Sequence, residues 1–135
     1  MSRKKKLNFI IPLVVYPFDV MVSFGETENE IIRILESLEL SESDITLALF
    51  HSDTINGRAV MFESNQTLIR LRNFPKSPEE YGVLHHGIFH AVTFIMSKIG
   101  MELIILKSDE AYAYLIQYLT REIYERINYV RITSR

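Results

Sequence analysis

The sequence predicts an α+β fold: a small antiparallel or mixed sheet packed on one N-terminal helix and two C-terminal helices. Three observations predict it. Apolar residues alternate along Phe18, Val20, Val22 and Phe24 and again in two later runs, which is the period of half-buried strands. Ile31, Ile34, Leu35 and Leu38 recur instead at helical spacing. Finally, two long C-terminal stretches each open on a helix-capping signal at Ser77 and Ser108. With 135 residues there is room for one hydrophobic core, so residues 1–135 read as a single domain, with a basic disordered tail over 1–6 and a C-terminal tail over 128–135.

In chain order, Leu7 to Val15 is rich in Ile, Leu and Val and predicts a first strand. Pro17 marks the break before the second, which Gly25 ends. Thr27 then N-caps a helix to about Leu40, with Glu30 completing the capping box. Ser41 to Phe50 fits two descriptions. Its start resembles a helix start, Ile45, Leu47 and Leu49 alternate like a strand, and a short helix is the preferred reading. Asn56-Gly57 signals a turn. Arg58 to Glu63 and Thr67 to Arg72 flank Ser64-Asn65-Gln66 as an antiparallel hairpin, on which Val60, Phe62, Ile69 and Leu71 are expected to share one apolar face and Arg58, Arg70 and Arg72 the solvated one. Ser77, Pro78, Glu79 and Glu80 give the strongest boundary, an N-cap, a proline at the first helical position and acids in the first turn. That helix runs to Lys98 and closes at Gly100. Met101 to Lys107 is a short apolar connection, and the last helix runs from Ser108-Asp109 to about Ile127.

Composition narrows the function. A net charge of −2 gives no electrostatic case for nucleic acid. The basic run Arg3 to Lys6 with the apolar Leu7 to Val15 resembles the start of a signal peptide, but Pro12 and the absence of a small-residue cleavage site argue against one. No stretch is long and uncharged enough to span a bilayer, so no membrane partner is expected. Without cysteine, any metal must be held by nitrogen and oxygen ligands, and a cytoplasmic location is expected.

One constellation carries chemistry. His86 and His90 are four apart on a helix, so both imidazoles project into the same space, as binding of one metal ion requires. Glu110, in the first turn of the next helix, is a candidate third ligand that a helical hairpin can fold back. The His86-Gly87-Ile88-Phe89-His90 segment with Glu110 resembles the gluzincin pattern HExxH followed by Glu, within a minimal zincin-like fold. Tyr81 to Tyr114, including His90-Ala91-Val92 and Ser108-Asp109-Glu110-Ala111-Tyr112, is also similar to small uncharacterised bacteriophage and prophage proteins. The resemblance implies that His86, His90 and Glu110 bind zinc. It also implies that Tyr112 and Tyr114 contact a substrate or partner, and that a peptide adding beside the hairpin meets Arg70 and Arg72.

The departure from the pattern matters most. The family keeps a glutamate after the first histidine to move a proton from the metal-bound water, and position 87 is glycine. Loss of such a base typically costs about two to four orders of magnitude in rate. His85 points about 100° away from His86 around the helix and does not replace it. Phe89, Phe94, Tyr112, Tyr114, Tyr118 and Tyr124 read as core and inter-helix packing. The expectation is a degenerate metallopeptidase scaffold that binds zinc and acts through a protein or peptide partner, in host cytoplasm or virion if phage encoded. Two alternatives stand beside it: an active zinc hydrolase with a rearranged base, and a structural protein without metal. The sequence sets neither the partner nor the oligomeric state.

Overall fold

The alternation at Phe18 to Phe24 becomes the centre of a four-stranded sheet. The computed structural model describes residues 5–49 and 56–133. Its elements are β1 (Leu7–Pro12), β2 (Asp19–Phe24), α1 (Glu28–Ser37), α2 (Glu42–Leu49), β3 (Gly57–Met61), β4 (Thr67–Leu71), α3 (Pro78–Lys98) and α4 (Asp109–Thr133). The sheet order is β1-β2-β4-β3. β1 pairs antiparallel with β2, β2 parallel with β4, and β3 antiparallel with β4, so the sheet is mixed and the fold is α+β. Arg3 and Lys4 of the basic tail, and Phe50, lie outside the described residues. Lys5 and Lys6 are engaged: the first lies over the Phe74 ring and the second pairs with Glu30 at 2.7 Å.

Both faces of the sheet are covered. Val20, Val22, Phe24, Ile69 and Leu71 point to the side where α3 and α4 pack. Met21, Val60, Phe62 and Leu68 point to the other, with Ile31 and Leu35 of α1 and Ala48 of α2. The single apolar hairpin face expected for Val60, Phe62, Ile69 and Leu71 is therefore divided. Val60 is in register with Leu68 and Ala59 with Ile69, so the two pairs of residues sit on opposite sides. Every residue of β4 is buried, which period-two alternation cannot reveal.

Local signals set most boundaries. The capping boxes at Thr27–Glu30 and Ser77–Glu80 both form. The Glu80 carboxyl, accepting from the Ser77 and Lys76 backbone, is held below its ordinary range. Gly100 closes α3 in a left-handed conformation (φ 78°), with Gly100 N–H donating to Ser97 O and Met101 N–H to Met96 O. Residues 42–49 are helical, Ser41 Oγ accepting from Asp44 N–H.

Two ends differ from expectation. β1 stops at Pro12 rather than Val15, because proline offers no N–H to the ladder and Leu13 N–H instead donates to Phe18 O across a tight turn. α4 continues through residues 128–133, where a tail was expected. Val130 packs against the core there and Arg131 donates to the Tyr81 hydroxyl, a tertiary anchor with no local sequence signal.

α3 lies across β3 and β4, and glycines set its height. A Cβ on Gly57 would sit 2.5 Å from Val83 Cγ1, whereas one on Gly82 would meet nothing within 4 Å. Gly57→Ala is expected to cost about 1–3 kcal/mol by overpacking. Gly82→Ala is expected to stabilise by about 0.5–1 kcal/mol through helix propensity. Thermal melts of the two variants check both signs.

Candidate metal site on the histidine helix

Four-residue spacing on α3 does bring the histidines together. His86 Nε2 and His90 Nε2 are 3.0 Å apart, and both side chains are exposed. Two imidazole nitrogens each about 2.05 Å from one tetrahedral zinc lie about 3.3 Å apart, so the pair is within a few tenths of an ångström of a chelating geometry. In this pose one ring donates to the other. Phe94 stacks on His90 (ring centroids 6.0 Å, interplanar angle 22°), and Phe89 meets it edge-on. Phe89 is itself 45% exposed, so it belongs to this surface and not to the core in which it was expected.

Glu110 is not part of the cluster. His85 Nε2 lies 2.8 Å from Tyr124 Oη, which sets how α4 runs back along α3. With Tyr124 beside both Tyr81 and His85, Glu110, fourteen residues earlier on α4, falls level with the Ile95 to Ile99 end of α3, beyond His90. Among the described residues no group of three His, Asp or Glu side chains is placed to hold one ion. The pair thus stands without the third protein ligand that the resemblance implies, among the described residues.

Position 87 explains itself in packing terms. Gly87 is buried, and a Cβ there would lie 3.2 Å from Ile69 Cγ2 of β4. The residue after the first histidine thus faces the sheet and not the open side where a metal-bound water would sit. A glycine here is what close helix–sheet contact selects.

The remaining candidates are dispersed. Tyr112 is buried and its hydroxyl donates to Met101 O, so it anchors the α3–α4 connection. Tyr114 is exposed at the start of α4. Arg72 is exposed, but Arg70, expected on a solvated hairpin face, is buried. Its Nη2 donates to Glu26 O at 3.1 Å, and burial pushes its pKa down while Glu28 and Glu26 oppose the shift. Arg70 is in register with Ser23 and Arg58, and Ser23 with Asn8, so a polar row crosses all four strands. Glu26 closes it, accepting from Ser23 Oγ and Asn8 Nδ2.

A second aromatic group meets the inter-helix packing expected of Tyr124 and adds two partners that the sequence did not single out. Tyr81 and Tyr124 stack at 5.6 Å and 9°, with the Arg131 guanidinium over Tyr81 at 5.5 Å. Burial, followed by the neighbouring Tyr81, pushes the Tyr124 hydroxyl pKa up, and Arg131 opposes that shift. His85 is spent on this group, in line with its expected turn away from His86. Only its distance in sequence hid it, since Tyr81, Tyr124 and Arg131 lie on two helices.

These contacts set an expected outcome for Gly87→Glu. The carboxylate enters against Ile69, so the variant is expected to lose about 2–4 kcal/mol of stability and to gain no hydrolysis of a peptide library. Chemical denaturation and a zinc-supplemented peptidase assay check the two halves, and a stable, active variant would restore the base position to the chemistry. Compared with models of protein families, with curated proteins and with solved structures, the chain matches none.

Proposed function

We propose that this protein is a non-catalytic binding module that holds a divalent transition metal, zinc first among the candidates, on His86 and His90. One observation carries the reading: two exposed imidazole nitrogens 3.0 Å apart on one helix face. Imidazole suits zinc, copper and nickel, and a chelating pair leaves the other coordination positions to water or to donor atoms of a bound protein. Position 87 faces the sheet, so it does not serve that open side with a base. The metal acts here as a bridge to a protein partner and not as a centre for water activation. The resemblance to the zincin pattern supports the histidine pair; it also implies Glu110, which this reading leaves outside the ligand set because no third His, Asp or Glu is grouped with the pair among the described residues.

Calorimetric titration of zinc into the metal-free protein tests the reading. His86→Ala and His90→Ala are each expected to lower zinc affinity at least about tenfold, whereas Glu110→Gln leaves it unchanged. Affinity should also fall on acidification, because both ring nitrogens must be unprotonated to bind. Absence of zinc binding by the wild type, or binding that survives both histidine substitutions, would overturn the proposal. A loss in Glu110→Gln equal to that of the histidine variants would return Glu110 to the site.

A further inference from the structure

The end of the domain that carries the β1–β2 and α3–α4 connections exposes more apolar surface than a small monomer usually leaves in water. Val14 and Val15 are 88% and 81% exposed, and Ile105 and Leu106 78% and 91%. The α3–α4 connection is nevertheless a fixed shape. Lys107 and Ser108 N–H both donate to Ile104 O, Ser108 Oγ accepts from Ile104 N–H and donates to Glu102 O, and Tyr112 Oη reaches Met101 O. Leu106 is held in a left-handed conformation (φ 69°), which a leucine adopts only when its surroundings impose it. Ile105 and Leu106 thus form a rigid apolar knob.

An apolar groove of about 340 Å³ lies beside the first turns of α4, between Val14 to Tyr16 and Ala111, Tyr114 and Tyr118. An apolar cavity of about 150 Å³ holds a benzene-sized group, so this groove has room for two aliphatic side chains. Knob and groove sit on the same chain, at the same end, beside the same helix. Lys5 and Asn56, which border undescribed residues, sit at the other end of the sheet, beside Gly25 and Arg72.

We infer that this end is an interface for a second copy of the same chain, the knob of each copy seated in the groove of the other. Two such contacts related by a two-fold axis close the assembly. Leu103 to Leu106, Val14, Val15 and Tyr114 leave on the order of 800 Å² exposed, which is the area each partner of a stable interface buries. The rim is mixed in sign, with Lys98 and Lys107 beside Glu102, Asp109 and Glu110, which suits pairing with an identical surface. The inference goes beyond the metal-binding reading, since this surface includes neither His86 nor His90.

Sedimentation velocity on the full chain at about 100 µM, well above the micromolar range of weak specific interfaces, tests it. The expected particle has twice the 15.8 kDa chain mass. Leu106→Asp, in the knob, and Val15→Asp, in the groove, are each expected to raise the dissociation constant at least about 30-fold while leaving the far-UV circular dichroism spectrum unchanged, because both sites are exposed. A wild-type monomer, a dimer that both variants leave intact, or a monomer that co-sediments with phosphatidylserine-containing vesicles would overturn the inference. Peptide hydrolysis by the Leu106→Asp chain would sink the binding-module reading itself, independently of the mass.

Discussion

The close approach of α3 to β3 and β4 decides what the histidine helix can do. Gly57 admits Val83 and Gly87 admits Ile69, so two missing Cβ atoms let the helix sit down on the sheet. Ile88, Ala91, Val92 and Ile95 are then fully buried, and the helix has one face left for solvent. His86 and His90 occupy that face. The same contact that presents the pair also turns position 87 inward, so a side chain there would meet Ile69 on the sheet.

The parallel β2–β4 pairing imposes the second constraint. Parallel neighbours need a crossover, and α1, α2 and β3 all lie in the connection between them. The crossover helices cover one face while α3 and α4 cover the other, which is why both central strands are buried on two sides. A polar row crosses that sandwich: the Glu26 carboxylate accepts from Asn8 Nδ2 and Ser23 Oγ and the Glu26 carbonyl from Arg70 Nη2, which ties β1, β2 and β4 together in one register. The charge of Arg70 is thus used to align strands.

Opposite ends of the α3–α4 hairpin are built differently. Where α3 begins and α4 ends, stacking of Tyr81 and Tyr124 and the Arg131 contact close the surface with amphipathic groups that keep a polar edge to water. Where α3 ends and α4 begins, the backbone's hydrogen bonds are satisfied within the loop while aliphatic side chains are turned outward. Hydrogen bonding within that loop thus holds its aliphatic side chains in water.

The sequence by itself determined the elements and the meeting of His86 with His90. Both depend on interactions within a few residues: capping boxes at Thr27 and Ser77, the glycine stop at residue 100, and a four-residue repeat on one helix. Tertiary structure decided everything that depends on which surfaces meet. It divided Val60 and Phe62 from Ile69 and Leu71, because a strand covered on both faces loses the alternation that marks a half-buried one. It carried α4 past Ile127 through a contact with Tyr81, far away in sequence. It buried Arg70 by pairing it with the Glu26 carbonyl, and it set Glu110 towards the end of α3 beyond His90, because the register of α4 against α3 is fixed by side chains such as Tyr81, His85 and Tyr124 and not by spacing along the chain. Local periodicity can say which residues share a helix face; only packing says what that face looks at.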